Sequence, residues 1–390
     1  MNLRQLFFDH VAQTSGTPLA IEVVKADGCT LTDTSGKEYI DLIGGIAVAN
    51  VGHCHPQVTH AIQQQLQQYL HVMVYGEFVL SPQVQYATLL AHHLPASLNT
   101  VYFTNSGTEA TEGAMKLAKR FTGRTEIAAF ENSYHGSTQC ALSLIGNEYW
   151  RNAYRPLLPG IIHLKYDSFD DIEWITEQVA CVVAETIQAE AGIKVPGAKW
   201  LRALRDRCTE TGALLVFDEI QAGFGRTGSL WAFEQFGIVP DILLLGKALG
   251  GGMPLGAFIS SNEIMASLTT NPVLGHITTF GGHPVCCAAG KAAMEVLLNE
   301  DCLQKISAKA DLFRNSLVNP RIESISSFGL WLALKFDSFT TCKEVVDRCI
   351  HNGVLTDWFL FAPDCLRISP PLTISFQEIE KAAKIISACI

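Results

Sequence analysis

The chain has 390 residues, of which 48% are hydrophobic and only 17% are charged, and its formal net charge is -10. This length exceeds the roughly 250–300 residues at which one hydrophobic core stops growing, so we expect two domains. The composition argues against disorder, and the acidic balance without a lysine- or arginine-rich block argues against nucleic acid and anionic membranes as partners.

Twelve cysteines are scattered along the chain without a C-x-x-C pair, and the N-terminus has neither a long apolar core nor a cleavage site. These features predict reduced thiols in the cytoplasm. No stretch approaches 18 uninterrupted apolar residues, so we expect no membrane span. The spacing His53-Cys-His55 resembles a metal site but has no second ligand cluster, so we predict no metal.

The hydrophobic pattern predicts secondary structure from residue 37 to the end of the chain. In chain order it predicts a strand at 37–41, a strand at 101–103, a helix at 109–120, strands at 127–130 and 181–185, a helix at 200–211, strands at 214–218, 242–245 and 257–259, helices at 285–299 and 301–315, a strand at 330–336 and a helix at 376–390. Alternating strands and helices predict an α/β fold with a mostly parallel sheet covered on both faces.

The character of the pattern changes near residue 284, where helices begin to dominate. We therefore predict a large α/β domain at 46–283 and a smaller α+β domain at 284–390. The segment 1–45 is predicted to pack with the small domain or with a partner subunit.

Lys247 lies between an apolar run predicted to be a buried strand and the glycine-rich loop that begins at Gly250. A buried ammonium without a partner costs several kcal/mol or loses its proton, and a deprotonated lysine at a strand end suits a Schiff-base enzyme. The alternative is a lysine that snorkels from the strand end to solvent.

Three other strand ends carry residues that could hold a ligand. The segment Thr104-Asn-Ser-Gly-Thr-Glu109 opens a helix, where backbone N–H groups could bind a phosphate or Thr108 could act as an ordinary cap. Asp218 ends an apolar strand and needs a cationic partner, which could be a protonated pyridine nitrogen or Mg²⁺. Tyr134 could stack on a flat ring or pack within its loop. An amine, a carboxylate, an anion site and an aromatic face together favour pyridoxal 5′-phosphate.

Two longer motifs resemble a known family. Asp218-Glu-Ile-Gln-Ala-Gly-Phe-Gly-Arg-Thr-Gly228, followed by Pro240-Asp-Ile-Leu-Leu-Leu-Gly-Lys-Ala-Leu-Gly-Gly-Gly252, resembles the signature of class III (subgroup II, fold type I) aminotransferases that use pyridoxal phosphate. Gly44-Gly-Ile-Ala-Val48 and Gly52-His-Cys-His-Pro56 most resemble the acetylornithine and succinylornithine aminotransferase branch. The resemblance implies a seven-stranded, mostly parallel sheet in the large domain and a homodimer with active sites at the interface.

The resemblance also implies roles for individual residues. Lys247 corresponds to the lysine that bonds to the cofactor aldehyde and moves the proton, and Asp218 to the partner of the pyridine nitrogen. The other implied cofactor contacts are Ser106, Gly107 and Thr108 at the phosphate, Tyr134 over the ring, Gln221 near the phenolic oxygen, and Thr279 donated across the dimer interface. Thr278 and Ser137 are predicted to face the substrate.

Arg367, in Leu366-Arg-Ile-Ser-Pro-Pro-Leu372, resembles the arginine that binds the carboxylate of 2-oxoglutarate, and Glu190 resembles its partner when the amine donor is bound. A bidentate guanidinium suits a dicarboxylate, and pairing it with a glutamate neutralises it for an uncharged part of the donor. The alternative is a purely structural salt bridge.

The chain departs from the family at Ser137, where related enzymes that act on acetylornithine, ornithine or 4-aminobutyrate usually carry an arginine for the donor carboxylate. We predict ping-pong transfer from an N-acetyl- or N-succinyl-ornithine to 2-oxoglutarate, in arginine biosynthesis, with Arg151 or Arg155 as a substitute cation. The alternatives are an ω-aminotransferase for diamines or ω-amino acids, which the same serine favours, an aminomutase, and an inactive homologue. The sequence does not rank these donors, nor dimer against tetramer.

Overall fold

The computed structural model describes residues 2–390. The strands are β1 Val23–Asp27, β2 Thr30–Asp33, β3 Glu38–Asp41, β4 Thr100–Thr104, β5 Glu126–Phe130, β6 Ile161–Leu164, β7 Val179–Glu185, β8 Leu214–Asp218, β9 Ile242–Leu245, β10 Gly256–Ser260, β11 Ser324–Ser327, β12 Leu332–Lys335, β13 Val354–Leu355 and β14 Cys365–Ile368. The helices are α1 Leu3–His10, α2 Gly44–Ala47, α3 Pro56–Leu66, α4 Ser81–His92, α5 Gly107–Thr122, α6 Gln139–Ser143, α7 Glu148–Arg151, α8 Phe169–Ile172, α9 Ala198–Thr211, α10 Asn262–Ala266, α11 Pro284–Asn299, α12 Ile306–Ser316, α13 Phe339–His351 and α14 Phe376–Cys389.

A seven-stranded sheet in the order β4-β10-β9-β8-β7-β5-β6 lies at the centre of the molecule. Neighbouring strands from β9 to β6 run parallel, whereas β10 is antiparallel to both β9 and β4. Successive residues of a strand enter different cores, as Val182 and Val183 do on the two faces of β7. Because both faces are covered, these strands are continuous apolar runs without alternation. The predicted α/β fold with a mostly parallel sheet is confirmed.

The seventh strand, β6, was not placed by the sequence pattern. It lies at the edge of the sheet, and three of its four residues are only half-buried. An edge strand with one neighbour needs less apolar surface, so its hydrophobic signal is weaker.

Helix α5 connects β4 to β5 and begins two residues before the expected position. Ser106 is its N-cap, with its Oγ accepting a 3.4 Å hydrogen bond from the N–H of Glu109. Gly123 ends the helix in the left-handed conformation, φ +72°. The buried face of the helix packs on the sheet, and its N-terminus therefore opens at the carboxyl edge of the parallel strands.

Two smaller sheets flank the central one. Strands β1, β2, β3 and β13 form the first, so the N-terminal segment pairs with a strand from the last sixty residues, and β11, β12 and β14 form the second. Helix α12 packs on α14, while α11 packs on α3 and α4. The domain bounds given above stay a prediction. None of the helices in residues 2–390 has the length and apolarity needed to span a lipid bilayer.

Candidate active site

A cavity of about 360 Å³ opens at the carboxyl edge of the central sheet. Its walls include residues that the sequence singled out, namely Gly107, Thr108, Tyr134, Ser137, Glu190, Asp218, Gln221 and Lys247. They meet there because β7, β8 and β9 run parallel, and Glu185 and Asp218, the last residues of β7 and β8, are paired in register. The position agrees with the general location of ligand sites in parallel sheets.

Gly246 separates Lys247 from the end of β9. Lys247 begins a single 3₁₀ turn, Lys247–Gly250. Its φ of +48° is unusual for a residue with a side chain and marks a constrained position. Burial lowers the pKa of the Lys247 amine, while the nearby carboxylates of Asp218 and Glu190 oppose that change. A lysine with a lowered pKa is more easily deprotonated and so serves as a nucleophile and a base.

Asp218 is buried at the end of β8, and both of its carboxylate oxygens have partners. Oδ1 accepts a 2.9 Å bond from the N–H of Ile220, and Oδ2 lies 2.7 Å from Nδ1 of His135. His135 is buried, and within residues 2–390 its Nε2 has no partner. This imidazole holds the carboxylate in one orientation at the cavity wall.

The start of α5 has close steric constraints next to the cavity. A Cβ on Gly107 would lie 2.8 Å from Cδ1 of Ile220, so this position leaves little room for a side chain. Gly136 has φ +129°, and a Cβ there would lie 2.2 Å from Oγ1 of Thr108. Thr108 Oγ1 also lies 2.6 Å from Oγ1 of Thr138. Backbone N–H groups and hydroxyls thus face the cavity at a helix N-terminus, an arrangement that suits an anion.

Glu185 is a second buried carboxylate in the cavity wall. Its oxygens accept bonds of 2.9 Å from the N–H of Tyr134 and 2.8 Å from the N–H of Ala189. Burial raises the pKa of Glu185 to about 7, with the charge of Asp218 acting in the same direction and His135 against it. Glu185 therefore fixes the loop that presents Tyr134.

Arg367 and Glu190 form a buried, bidentate ion pair. Nη1 and Nη2 of Arg367 donate to Oε1 and Oε2 of Glu190, both at 2.9 Å. Burial raises the pKa of Glu190, but the charge of Arg367, its hydrogen bonds and the N–H of Leu360 together lower it by more, so the net pKa is below its ordinary value. Asp357 adds a second carboxylate, 2.8 Å from Nε of Arg367. Arg367 itself lies behind the cavity wall, over the ring of Phe359 at 4.4 Å.

Tyr134 and Ser137 face each other across their turn, with 2.8 Å between the two hydroxyl oxygens. Gln221 also lines the cavity, and its buried Nε2 has no partner in the described part of the chain. Orphaned buried polar atoms such as this one are rare in proteins and mark places where a ligand completes the hydrogen bonds.

Thr278 and Thr279 lie outside the cavity of their own subunit. Oγ1 of Thr278 accepts a 3.0 Å bond from Nδ2 of Asn105, and Thr279 is exposed.

Arg151 and Arg155 also lie outside the cavity. Both form ion pairs with Glu148, and with His163 they line a separate surface pocket. The structure therefore does not place either arginine where it could replace the cation missing at Ser137. His53, from the spacing that resembles a metal site, has its Nε2 2.8 Å from Oδ2 of Asp41.

Sequence reasoning missed His135, Glu185 and Asp357. His135 directly follows Tyr134, and Glu185 ends an apolar strand just as Asp218 does, so both had a readable signal. Asp357 had none, because its contact with Arg367, ten residues further along, depends on how the backbone between them folds back and pairs.

Comparison with known proteins identifies the family. A sequence model described as aminotransferase class-III matches residues 11–390. Acetylornithine aminotransferase of Methanopyrus kandleri is 38% identical over 387 residues, covering 98% of this chain and 97% of the relative. That of Bacillus subtilis is 37% identical over 368 residues, covering 93% of each. Ornithine aminotransferase of Toxoplasma gondii, whose structure has PLP at partial occupancy, matches with a TM-score of 0.92 at 29% identity, over 99% of this chain and 93% of that chain.

The chain therefore belongs to the class-III aminotransferase family and is a transaminase. The resemblance read from its motifs is confirmed. The family implies pyridoxal phosphate as cofactor and amino and oxo compounds as substrates. The residues present fit that cofactor, since the cavity joins an amine, a buried carboxylate, an anion-binding helix start and the unpaired amide of Gln221.

Proposed function

We propose that this transaminase moves the terminal amino group of an N-acylated ornithine, acetyl or succinyl, to 2-oxoglutarate in two half-reactions, as a step of arginine biosynthesis. The observation that carries the proposal is the convergence of Lys247, Asp218 and Glu190 on one cavity, with Arg367 paired to Glu190 behind its wall, in a chain whose relatives include acetylornithine aminotransferases. Bound pyridoxal phosphate would supply an aldehyde that accepts the amino group and a ring that withdraws electrons from the reacting carbon.

Lys247 would act as the base of both half-reactions. Its amine would take a proton from the donor carbon that bears the amino group. It would then deliver a proton to the aldehyde carbon of the cofactor. The lowered pKa of Lys247 keeps a larger share of the amine unprotonated, which this role requires.

The cofactor contacts follow from the positions of the side chains. Asp218 would hold the proton on the ring nitrogen, and His135 keeps its carboxylate in place. Ser106, Gly107 and Thr108 would bind the phosphate at the start of α5, Tyr134 would cover the ring, and Gln221 would donate its unpaired Nε2 to the phenolic oxygen.

Arg367 and Glu190 would serve the two substrates in turn. While the donor is bound, the ion pair of 2.9 Å bonds keeps the guanidinium occupied. In the second half-reaction a carboxylate of 2-oxoglutarate would take the place of Glu190, because a carboxylate offers the same two-oxygen geometry.

The active form is proposed to be a homodimer. Thr279 lies on a segment that exposes Val273, Ile277 and Phe280, whose side chains are 73%, 51% and 54% exposed, and Val79 in a neighbouring segment is 92% exposed. So much apolar surface around one site is typical of an interface. Thr279 would reach the phosphate in the partner's cavity, and Thr278 the substrate. The twelve free thiols support the prediction of a reducing, cytoplasmic location.

One observation favours a second donor class. Within residues 2–390 the cavity wall contains no arginine, and its one lysine, Lys247, is the residue proposed to bind the cofactor. The α-carboxylate of an acylornithine therefore finds no free cation from the same subunit. An ω-amine donor without that carboxylate, such as a diamine, needs none.

A half-reaction screen tests the proposal. The enzyme saturated with pyridoxal phosphate is mixed with each donor, namely acetylornithine, succinylornithine, ornithine, 4-aminobutyrate, lysine and putrescine, and loss of the cofactor's visible band is timed. An acylornithine that reacts at least about tenfold faster than the diamine supports the first donor class. The reverse order supports the second, and no reaction with any donor would contradict the assignment of the cavity.

A further inference from the structure

Arg367 contacts two carboxylates, although one is enough to neutralise its charge. Glu190 occupies the edge formed by Nη1 and Nη2, and Asp357 occupies the other edge through Nε at 2.8 Å. Nη2 also donates to the carbonyl oxygen of Trp358 at 3.1 Å. A guanidinium has two edges that can take a carboxylate, and in residues 2–390 protein atoms cover both.

The two carboxylates are attached to Arg367 in different ways. Asp357 lies opposite it on a paired backbone, since the N–H of Arg367 donates to the carbonyl oxygen of Asp357 at 2.9 Å. Thr356 Oγ1 bonds to the carbonyl oxygen of Arg367 at 2.5 Å, and Trp358 and Leu366 form an antiparallel bridge. This backbone pairing keeps the side chains of Asp357 and Arg367 next to each other whatever binds the Nη1–Nη2 edge.

Glu190 comes from a distant part of the chain. It lies in the turn after β7, between the bridged residues Gln188 and Lys194, and 177 positions separate it from Arg367. Its remaining side-chain contact is the N–H of Leu360, at 3.1 Å from Oε2. Of the two carboxylates, Glu190 is therefore the one that can leave the guanidinium while the backbone stays in place.

The second carboxylate has an energetic cost. Burial raises the pKa of Asp357 to about 6 even though Arg367 acts against that change, and Glu190 adds to it. A buried carboxylate beyond the one that neutralises the arginine does not improve stability by itself. A geometric role for Asp357 explains why it lies here.

We propose that Asp357 is a positioning residue that fixes the guanidinium of Arg367 through Nε, so that the Nη1–Nη2 edge keeps its place when a carboxylate of the acceptor replaces Glu190 there. This inference rests on the proposed function, in which Arg367 binds a dicarboxylate.

Two variants separate position from charge. Asp357→Ala removes the Nε acceptor, whereas Asp357→Asn keeps an acceptor oxygen and removes the charge. Asp364→Ala is the matched control, because Asp364 lies in the same segment and its carboxylate contacts Cys365 instead of Arg367. The readouts are KM and kcat for each substrate, and the Kd of glutarate, an unreactive dicarboxylate, measured by calorimetry.

Loss of one hydrogen bond to a charged group predicts that Asp357→Ala raises the glutarate Kd and the 2-oxoglutarate KM roughly tenfold. The donor KM and kcat should change by less than about twofold, and Asp357→Asn should stay within about threefold of the wild type on the same basis. Equal losses for donor and acceptor would show a merely structural role and overturn the proposal. So would an unchanged acceptor KM in Asp357→Ala, or an asparagine variant as weak as the alanine variant.

The wild-type measurements distinguish this inference from the proposed function. If the wild type neither binds glutarate nor transfers to 2-oxoglutarate, the proposed acceptor is wrong and the inference falls with it. If the wild type does both and Asp357→Ala behaves like Asp364→Ala, only the inference is overturned.

Discussion

The imidazole Nδ1 of His135 lies 2.7 Å from Oδ2 of Asp218, and both side chains are buried beneath the cavity. The Asp218 carboxylate thus has two fixed partners, His135 and the N–H of Ile220. Its direction is set before any ligand binds, as is expected where a carboxylate must meet one atom of a cofactor.

His135→Leu should weaken cofactor binding and lower kcat by about 10–100-fold, because a charge-assisted hydrogen bond to Asp218 is lost. His135→Asn keeps a side-chain N–H near the position of Nδ1 and should lose less than about tenfold. The checks are spectroscopic titration with pyridoxal phosphate and steady-state kinetics. An asparagine variant no better than leucine would mean that His135 acts by packing.

Lys247→Ala should reduce turnover by at least about a thousandfold, since the same amine binds the cofactor and moves the proton. In the wild type, borohydride treatment followed by peptide mass spectrometry should locate the pyridoxyl group on Lys247. Lys291 forms an ion pair with Glu295 and should remain unlabelled. Lys291→Ala therefore serves as the control. A label on any other lysine would refute the assignment.

Arg367→Ala should destabilise the protein more than Glu190→Ala does. Removing the arginine leaves the buried Glu190 and the half-buried Asp357 without their cation, at a cost of about 3–5 kcal/mol. Removing Glu190 leaves Arg367 still paired with Asp357. Thermal unfolding of the two variants tests the order, and Arg367→Ala should also impair the 2-oxoglutarate half-reaction more than the donor half-reaction. A reversed order would mean that Asp357 does not neutralise Arg367.

Ser137→Arg should favour donors that carry a carboxylate at the end opposite the reacting amino group. Ser137 is exposed at the cavity wall, so an arginine could extend into it without burial cost. We expect the ratio of kcat/KM for acetylornithine to that for putrescine to rise about tenfold, as for one new charge-assisted bond. Ser137→Ala controls for loss of the bond to Tyr134. An unchanged ratio would mean that the donor carboxylate binds elsewhere.

The contribution of Glu219 to stability should fall as the pH rises from about 5 to 7. Glu219 is fully buried beside the cavity wall, where it accepts bonds from Thr186 and from the N–H groups of Ala232 and Phe233. Burial raises the pKa of Glu219 to about 7 from 4.5. A raised pKa means that the folded state holds the proton more tightly, so this contribution is complete below pH 4.5 and is lost by pH 7, at up to about 1.4 kcal/mol per pH unit.

Thermal midpoints measured from pH 5 to 8 test this dependence. Glu219→Gln should be less stable at every pH, because its amide nitrogen faces a backbone donor, but its midpoint should depend less on pH. Glu185, whose pKa is also about 7, leaves a residual slope. A variant with the same slope as the wild type would show that Glu219 does not hold the proton.

Much of the central sheet could be predicted because buried parallel strands are uninterrupted apolar runs. Strands β8 and β9 have the expected bounds, and β7 extends two residues earlier than expected. The half-buried edge strand β6 left no comparable signal. The predicted helix at 301–315 begins only at Ile306, after a 3₁₀ turn at Leu303–Lys305, because local hydrogen bonding at a helix start is not encoded in hydrophobic spacing.

The sequence by itself determined the chemistry available at the strand ends. Lys247 and Asp218 could be read as an amine and a carboxylate of one site, because the carboxyl ends of parallel strands meet at one edge. The motifs around these residues also identified the family, and the comparisons confirm it.

Only the tertiary structure decided how the site is charged. Asp357 contacts Arg367 because an antiparallel bridge next to them pairs their segments. Arg151 and Arg155 form ion pairs with Glu148 and do not line the cavity. Such contacts depend on the direction of each side chain and on the desolvation of each charge, which are fixed only when the folded backbone places the side chains. Residue types and their spacing contain neither quantity.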